Sequence, residues 1–453
     1  MQNPYLPHTE AEITEMLKEI GVSSVSEIYE KAIGKASDIE LKIPESICEY
    51  DLLRNFRELS EKNVNFQEYA IYLGAGVYNH FIPSAVFELA SRGEFLTAYT
   101  PYQPEVSQGT LQALFEYQTM ICELTKMDVA NSSMYDGASA LAEAVIMANN
   151  INGKSEILIS KAIHPEYIEV VKTYSRGKKL NIVEFEFDNE TGRVNLDDLK
   201  SKLSANTSCV AVQYPNFFGI IENLKEIRNV IPENVIYIVT TNPISLGILE
   251  PPGSFGADIV VGEGQVLGNP GFFGGPGFGF FATREKYLRR MPGRLIGQTV
   301  DSEGKRGFVM TLQTREQHIR RARATSNICS NHAHNAVMGA IYMSLLGKKG
   351  IKEVANLSLQ KAHYLAEKLD KLEHFHLKFS GPFFHEFVLE TDLDWSEINQ
   401  YLIEQKIIGP LELSRFYKEM KQSALFCVTE MNRREDIEFL IGRLGAVFNE
   451  INI

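Results

Sequence analysis

The stretch that decides the fold, residues 235–283, reads VIYIVTTNPISLGILEPPGSFGADIVVGEGQVLGNPGFFGGPGFGFFAT. Its apolar runs at 235–239 and 257–261 predict two short buried strands. Each run ends in polar residues or glycine, at 240–243 and 262–268, which is where α/β sheets carry their ligand-binding groups. A turn rich in glycine and proline, at 268–279, leads into a third apolar run. We therefore expect a ligand site at this edge of a sheet.

Further apolar runs of four to six residues alternate with helical stretches from about residue 128 to 283. The runs before the deciding stretch are 156–160, 181–187 and 208–214. Alternation of strand and helix is typical of βαβ units. The predicted fold class is therefore α/β, with a mostly parallel central sheet and flanking helices.

The N-terminal part, residues 1–65, is predicted to be a helical segment. Three matches to the S/T-x-x-E capping box occur there: Thr9 with Glu12, Ser24 with Glu27, and Ser46 with Glu49. Gly21 and Gly34 are suitable residues to end the first two helices. We expect three short helices.

The remaining chain is predicted to form a large α/β domain, 66–330, and a smaller C-terminal α/β domain, 331–453. A long helix opened by Pro104 and Glu105 should lie across the central sheet, on an apolar stripe formed by Leu111, Leu114, Tyr117, Ile121 and Leu124. A helical stretch at 316–346 precedes a hinge at 347–350. The small domain has predicted strands at 376–379, 386–390 and 425–429.

Composition excludes several classes of protein. The formal charge of −13 and the pI of about 5.4 disfavour nucleic acid as a partner, because phosphate contacts need clustered basic residues. The five cysteines have no CxxC spacing, so disulfides and a cysteine zinc site are not expected. The start of the chain lacks a signal-peptide pattern and no apolar run approaches ~18 residues. We expect a cytoplasmic protein that does not enter a membrane.

Two His-x-His pairs, His332 with His334 and His374 with His376, could suggest a metal. Side chains spaced by two diverge on a helix, and no carboxylate cluster accompanies either pair. We interpret both pairs as structural and expect no metal site.

The loop at 96–109, LTAYTPYQPEVSQG, interleaves aromatic residues with prolines. Proline removes a backbone donor and restricts φ, so this segment should be a rigid loop. The hydroxyls of Tyr99, Tyr102 and Tyr117, with Thr100 and Gln103, would suit a small anion or a polar substrate. A proline-rich connector with half-buried tyrosines is the alternative.

The segment at 72–79, YLGAGVYN, imitates a dinucleotide-binding loop, but Pro83 lies where the following helix should run. A tight turn that places Asn79 and His80 is the better interpretation. Both residues could face a substrate, although a histidine of this kind is more often part of a core or a cap.

Small residues at 135–140 mark the start of a helix. The free N–H groups near Gly137 and Ser139 could bind a phosphate, or the segment could be a plain N-cap formed by Asp136 or Ser139. His164 follows a predicted strand, where its ring could stack on a ligand or simply belong to a turn.

The layout of the deciding stretch is typical of the region around the cofactor lysine in enzymes that use pyridoxal phosphate. Here no lysine lies between Lys225 and Lys286. The position after the 257–261 strand offers Glu263 and Gln265, neither of which can form a Schiff base. Asn242 follows the preceding strand, and a neutral amide cannot neutralise a pyridinium.

Four segments together resemble one family: 72–86, 96–145, 214–222 and 257–282. They are similar to the glycine cleavage system P protein, glycine dehydrogenase (decarboxylating), and in particular to its N-terminal half. In many bacteria that half is a separate subunit 1. The resemblance extends over nearly the whole chain.

The resemblance implies a fold type I pyridoxal-phosphate enzyme and an oxidoreductase that works as a hetero-oligomer. Subunit 2, in an α2β2 complex, would carry the pyridoxal phosphate. The complex would decarboxylate glycine and transfer the aminomethyl group to the lipoyl group of H protein. This chain would hold no cofactor and would not be active alone.

The resemblance also implies two sets of site residues in this chain. The first set would complete the partner's active site at the interface and reach toward glycine or the lipoyl arm: Tyr99, Thr100, Tyr102, Gln103, Asn79 and His80. The second set would be a vestigial cofactor pocket: Gly137, Ser139, His164, Asn242 and Gln265. Two alternatives remain, a non-catalytic scaffold of the same complex and a self-sufficient pyridoxal-phosphate enzyme that uses another lysine.

Overall fold

The structure is a computed structural model that describes residues 5, 7–34, 42–65, 68–97, 99–271, 275, 277–326 and 328–451. Ala98 of the predicted loop, and residues 272–274 and 276 of the predicted glycine-rich turn, lie outside the described residues. The chain forms two compact units, residues 1–64 and residues 65–453. The boundary that we expect between a large and a small domain near residue 330 stays a prediction.

The N-terminal unit contains α1 (Glu10–Ile20), α2 (Val25–Ile33) and α3 (Glu49–Ser60). The first two predicted starts are confirmed, because the side chains of Thr9 and Ser24 accept bonds from the backbone N–H groups three residues later. The third capping box is wrong. Cys48 is the N-cap of α3, and Glu49 is therefore the first helical residue rather than the third.

The second unit contains the remaining helices. They are α4 (Ser84–Ala90), α5 (Gly93–Leu96), α6 (Gln108–Thr125), α7 (Gly137–Asn152), α8 (Pro165–Arg176), α9 (Leu196–Lys202), α10 (Leu224–Val230), α11 (Gln317–Arg320), α12 (Ala333–Leu369), α13 (Trp395–Glu404) and α14 (Arg434–Ile451).

The strands of the second unit, in chain order, are β1 (Ala70–Ile71), β2 (Val129–Ala130), β3 (Glu156–Ser160), β4 (Asn181–Phe185), β5 (Thr207–Tyr214), β6 (Ile236–Thr241), β7 (Ile259–Glu263), β8 (Gly279–Thr283), β9 (Leu295–Val300), β10 (Arg306–Thr311), β11 (Phe375–Leu377), β12 (Glu386–Thr391), β13 (Ile407–Ile408), β14 (Leu411–Glu412) and β15 (Ser423–Cys427).

The described residues build a central sheet of seven strands in the order β2-β8-β7-β6-β5-β3-β4. The strands from β7 to β4 pair in parallel, whereas β8 is antiparallel to both β7 and β2. The prediction of a mostly parallel sheet is confirmed. Because β5, β6 and β7 are in register, their carboxyl ends meet at one edge, and Asn242 and Glu263 lie there.

Helices cover both faces of this sheet. Alternate strand residues point to opposite faces, so Val239 packs toward α6 and α12, whereas Ile238 packs toward α7 and α8. The predicted apolar stripe of α6 is buried at Leu111, Leu114 and Ile121. Burial on both sides explains why the strands read as continuous apolar runs.

The start of α6 differs from the prediction. Pro104–Val106 forms a separate 3₁₀ turn, and α6 begins only at Gln108, after the non-helical Ser107. Tyr117 is fully buried inside α6, so its hydroxyl does not belong to the surface of the loop.

The C-terminal part also departs from the predicted helix at 316–346. Arg321 has a φ of 51°, which no α-helix contains, so α11 ends there and the next helix, α12, starts at Ala333. Gly347, in the predicted hinge, has a φ of 58° and kinks α12. Beyond the kink, β11, β12, β14 and β15 form an antiparallel sheet close to the predicted strands. Within the described ranges, no helix is long and apolar enough to cross a membrane.

Candidate functional site

The predicted loop is built on one buried arginine. Arg294, only 7% exposed, precedes β9 and aims its guanidinium under the loop. Its Nη1 donates to Thr100 Oγ1 at 3.3 Å and to Asn331 Oδ1 at 3.1 Å, while Nη2 donates to the Tyr102 hydroxyl at 3.2 Å and to the Cys329 carbonyl at 2.9 Å. We call this assembly, residues 99–103 on Arg294, the Arg294 loop.

A carboxylate balances the charge of Arg294. Glu316 Oε2 lies 3.7 Å from Arg294 Nε, and both side chains are at most about a tenth exposed. His318 approaches the same carboxylate at 3.5 Å, and its ring meets the Tyr102 ring edge-on. The Arg294–Glu316 ion pair is therefore a fixed, buried support for the loop. Removal of either member would leave a buried charge without a partner.

The outer side of the Arg294 loop faces solvent. Tyr99 is 82% exposed and Tyr102 is 46% exposed. The Tyr99 hydroxyl lies 3.1 Å from Ser330 Oγ, and Gln103 is exposed at the start of the 3₁₀ turn. Tyrosine is enriched among the residues that dominate binding interfaces, so these side chains are suited to contact with a partner or ligand.

Asn79 and His80 contact a different part of the chain. The Asn79 carbonyl accepts a bond of 2.6 Å from the Thr429 hydroxyl, and the buried His80 places Nδ1 2.7 Å from Glu430 Oε2. Burial acts to raise the pKa of Glu430, but the bond to His80 and its charge lower that pKa below its usual value. Among the described residues, no recorded hydrogen bond or ring contact joins this pair to the Arg294 loop.

The five residues of the predicted vestigial pocket belong to a second polar assembly, at the carboxyl edge of the sheet. Asp136 caps α7 by accepting from Ser139 N at 2.6 Å, and Ser139 Oγ accepts from Asp136 N in return. The plain N-cap is thus present. Gly137 N does not point into open space, because it donates to Glu263 Oε2 at 2.9 Å.

Glu263 supplies the anion at this helix start. Its other oxygen, Oε1, accepts from Gln265 N at 3.0 Å and from Phe278 N at 3.1 Å. Burial raises the pKa of Glu263 to about 7, while the bonds from backbone N–H groups work in the opposite direction. Side-chain carboxylates of the chain itself therefore use the N–H groups of Gly137 and Ser139, which a phosphate at this helix start would need.

Gln265 is held by the backbone of the 72–80 segment. Its Oε1 accepts from Tyr78 N at 3.0 Å, and its Nε2 donates to Tyr78 O at 3.0 Å and to Asn269 O at 2.7 Å. The amide is 5% exposed, and its three hydrogen bonds all go to main-chain groups.

The 72–80 segment is itself fixed by a buried carboxylate. Glu386 accepts from the Tyr78 hydroxyl and from Ala75 N, both at 2.7 Å. Burial raises the pKa of Glu386 to about 7. Ala75 and Gly76 have positive φ values of 59° and 102°, which make the predicted tight turn. We call the set Gly137, Glu263, Gln265, Tyr78 and Glu386 the closed network.

The last two predicted pocket residues border the closed network. His164 caps α8, bonds to the Ala75 carbonyl at 2.8 Å and stacks on Tyr167. Asn242 accepts from Ile244 N at 2.9 Å and lies 3.2 Å from His385 Nε2. Burial and the nearby charge of His80 lower the pKa of His385 well below its usual value, so its neutral ring can accept from the Asn242 amide.

Sequence reasoning missed the residues that organise both assemblies. No sequence pattern predicts a role for Arg294; the available signal is an arginine within the mostly apolar segment MPGRLIG, residues 291–297. Glu263 was noted only as a group that cannot form a Schiff base. Its position just after the apolar residues 259–261 is the available signal, because a charged residue at the end of a buried strand needs a partner.

The two His-x-His pairs make ordinary structural contacts. His332 and His334 bond to the carbonyls of Gly277 and Ala90, and the ring of His374 stacks on Phe448. Within the described part of the chain, no group of three or more His, Cys, Asp or Glu could hold a metal ion.

Comparison with known structures defines the class of fold. A sphingosine-1-phosphate lyase from Burkholderia pseudomallei matches with a TM-score of 0.68 at 12% identity, over 93% of this chain and 94% of that one. The similarity is one of fold alone. It supports the predicted class, an α/β protein with the fold type I architecture of pyridoxal-phosphate-dependent enzymes, and that prediction is confirmed.

The family is then defined by sequence. Residues 3–444 match the model of the glycine cleavage system P-protein, and the chain belongs to that family. The crystal structure of a glycine decarboxylase (P-protein) of the glycine cleavage system, in inhibitor-bound form, matches with a TM-score of 0.90 and 41% identity, over 98% of this chain and all of that one. The predicted resemblance is confirmed.

Bacterial relatives match along their full lengths. A probable glycine dehydrogenase (decarboxylating) subunit 1 of Thermotoga maritima is 54% identical over 441 residues, which cover 97% of this chain and 99% of the relative. A protein of the same description from Bacillus mycoides is 50% identical over 456 residues, with coverage of 99% and 100%.

Proposed function

We propose that this chain is subunit 1 of a glycine cleavage P protein. Together with a homologous second subunit, in a cytoplasmic α2β2 complex, it takes part in the decarboxylation of glycine and in transfer of the aminomethyl group to the lipoyl arm of H protein. End-to-end similarity to proteins described as subunit 1 supports this proposal.

The closed network is the observation that supports assigning the cofactor to the second subunit rather than to this chain. Pyridoxal phosphate needs a lysine, free N–H groups for its phosphate and space for its ring. Here Gln265 is bonded to the backbone of Tyr78, and Glu263 uses the N–H of Gly137. A Cβ added at Gly137 would lie 2.5 Å from the Tyr167 hydroxyl. These residues do not fit the cofactor, so the proposal assigns pyridoxal phosphate to the partner subunit.

The contribution of this chain is the Arg294 loop. Tyr99, Thr100, Tyr102 and Gln103 present hydroxyl and amide groups from a base that cannot shift without disturbing Arg294. In the proposal they close the partner's active site, exclude water and orient glycine or the lipoyl arm. Asn79 and His80 enter only as a second layer, because their contacts with Thr429 and Glu430 favour a positioning role.

The test is glycine-dependent exchange of labelled bicarbonate, measured for this chain alone and for the complex with its partner and H protein. We expect no exchange by the chain alone. In the complex, Tyr102→Phe should lower turnover by about threefold to tenfold, the equivalent of one hydrogen bond of about 1 kcal/mol. Tyr99→Phe should act in the same direction while the complex still assembles.

The matched control is Tyr364→Phe, which removes a hydroxyl that bonds to Glu438 on the C-terminal part of the chain. It should leave turnover unchanged. If the Tyr99 and Tyr102 variants behave like this control, the chain is a scaffold. Exchange by the isolated chain, with the coenzyme trapped on it by borohydride, would instead reveal a self-sufficient enzyme.

A further inference from the structure

A second concave region, outside both assemblies, is lined by arginines. It is a cavity of about 490 Å³ between the 3₁₀ turn Glu285–Arg290, the end of β10 and the segment after α11. Its basic residues are Arg289, Arg290, Arg315, Arg320 and Arg323, and none of its lining residues is acidic. This concentration is unexpected in a chain with a formal charge of −13.

The arginines of this pocket are not neutralised by carboxylates. Some exposed arginines elsewhere pair locally, as Arg433 does with Asp436 at 2.8 Å and Arg92 with Glu94 at 2.6 Å. Among the described residues, no carboxylate lies within 4.0 Å of the guanidinium groups of Arg289, Arg290, Arg320 or Arg323. Like charges crowded in this way repel one another unless an anion joins them.

The floor of the pocket adds a buried positive charge. Arg315 is 8% exposed and bonds only to main-chain carbonyls, those of Leu312 at 3.2 Å, Gly293 at 3.0 Å and Met291. These bonds hold the guanidinium in place, and the neighbouring Glu316, which does not line the pocket, offsets its charge only in part. A buried cation fixed behind exposed ones gives the pocket a positive potential that water screens only in part.

The backbone around the pocket is strained. Arg321 has φ 51° and ψ −124°, and Leu312 has φ 52° and ψ 31°, both unfavourable for residues with a side chain. Such conformations persist only where the surrounding structure enforces them, and they cluster at binding sites. Here they turn the chain so that Arg320 and Arg323 face the same cavity as Arg289 and Arg290.

We propose that this pocket binds a small compound that carries two or more phosphate groups. Arginine forks match phosphate oxygens in bidentate fashion, and the volume is that of a ligand site. An adjoining cavity of about 530 Å³ shares Asn150 and Thr325 with the pocket. Its lining includes Tyr174, Glu143 and Lys178, and it provides room for the remainder of such a compound. The concave shape favours a small molecule over the flat surface of an acidic protein.

Isothermal titration calorimetry of the full chain with inorganic pyrophosphate tests the proposal. At about 0.1 M salt, where diffuse attraction is screened, we expect one saturable site with a Kd of about 10–100 μM. Inorganic phosphate should bind at least about tenfold more weakly, since it can engage fewer arginine forks. The partner subunit and H protein are absent, so the outcome is independent of the proposed function.

Two double variants locate the site. Arg320→Gln with Arg323→Gln should weaken pyrophosphate binding by at least about tenfold, and so should Arg289→Gln with Arg290→Gln. The matched control, Arg433→Gln with Arg434→Gln, removes the same charge from ion-paired exposed positions and should change the Kd by less than about twofold. Circular dichroism confirms folding of each variant. The proposal is overturned if the wild-type chain shows no saturable binding, if phosphate and pyrophosphate bind equally, or if the control loses as much affinity.

Discussion

The closed network and the Arg294 loop are both polar assemblies within an apolar α/β fold, but they use their polar groups in opposite ways. In the closed network, the side chains of Glu263 and Gln265 form hydrogen bonds to backbone groups of the same chain. In the Arg294 loop, Thr100 and the Tyr102 hydroxyl accept from Arg294 on the inner side, while much of the Tyr99 and Tyr102 side chains stays exposed to solvent.

This difference indicates a structural role for the closed network and a functional role for the Arg294 loop. A buried polar network whose members are mutually satisfied makes one conformation rigid and has nothing left to offer a ligand. Exposed aromatic side chains on a rigid support lose little conformational entropy on binding, and their rings remain accessible to another molecule. Substitutions in the closed network should therefore change stability alone, whereas substitutions in the Arg294 loop should also change activity.

The largest effect is expected for Arg294→Leu. It removes four hydrogen bonds to the loop and its surroundings and leaves Glu316 buried without its cation, so we expect a loss of about 3 kcal/mol in the free energy of unfolding. Glycine–bicarbonate exchange by the reconstituted complex should fall about 100-fold, because the loop loses its orientation. Guanidinium denaturation and the exchange assay measure the two effects.

Arg294→Lys is the informative companion. It keeps the charge beside Glu316 but cannot reproduce the planar fork, so stability should recover more than activity. If the lysine variant restored activity fully, the geometry of the loop would be irrelevant to turnover, and the distinction between the two regions would fail on the functional side.

The next effect is expected for Glu263→Ala. The N–H groups of Gly137, Gln265 and Phe278 would lose their acceptor, which should lower the free energy of unfolding by about 2–4 kcal/mol. Activity per folded complex should stay unchanged, because the closed network holds no reacting group in our proposal. Denaturation curves and exchange assays on the same preparation measure both quantities.

Glu263→Gln serves as the conservative variant for that test. It retains an oxygen for two of the donors and should lose about half as much stability. A variant that stays as stable as the wild type but loses turnover would contradict a purely structural closed network.

The smallest effect concerns pH. Burial raises the pKa of Glu222, Glu263 and Glu386 to about 7 from the ordinary value of 4.5. The unfolded chain releases these protons near pH 4.5 and the folded chain only near 7, so stability contributed by the protonated groups is lost as pH rises through 7. Between pH 6.5 and 8 the free energy of unfolding should fall by about 1–2 kcal/mol.

Denaturation midpoints at pH 6.5, 7.2 and 8 would show this trend. The expected fall in the free energy of unfolding is on the order of a tenth of the stability of a domain. Below about pH 6.5 the buried His164 and His385 have the opposite effect. Their pKa values are lowered in the folded chain, so protonation favours the unfolded chain and stability falls as the pH decreases. Glu263→Gln should have a shallower slope than the wild-type chain. Equal slopes would mean that Glu263 does not titrate in this range.

Much of the fold was predictable because it depends on local patterns. Apolar runs located the central strands, and the capping residues Thr9, Ser24 and Asp136 located helix starts. The failures are also local in cause. The capping box predicted at Ser46 is wrong because the helix begins after Cys48. The single helix predicted at 316–346 is interrupted by the positive φ of Arg321.

The site was predictable only in part. The composition of the 96–109 loop predicted a rigid polar loop, but not the arginine on which it rests. Residues Gly137, Ser139, His164, Asn242 and Gln265 were predicted to lie together, and all five do border or belong to one assembly. Which groups satisfy them could not be read from the sequence, and the catalytic roles of the loop residues stay predictions.

The sequence by itself determined the strand pattern, the helix caps and the absence of a lysine between Lys225 and Lys286, because each of these depends on neighbours in the chain. Only the tertiary structure decided that Glu263 meets Gly137, 126 residues away, that Gln265 meets Tyr78, 187 away, and that Tyr78 meets Glu386, 308 away. Partners so distant are chosen by packing. A buried polar group takes whichever donor or acceptor the fold brings within reach, since leaving it unpaired costs more than any local preference provides.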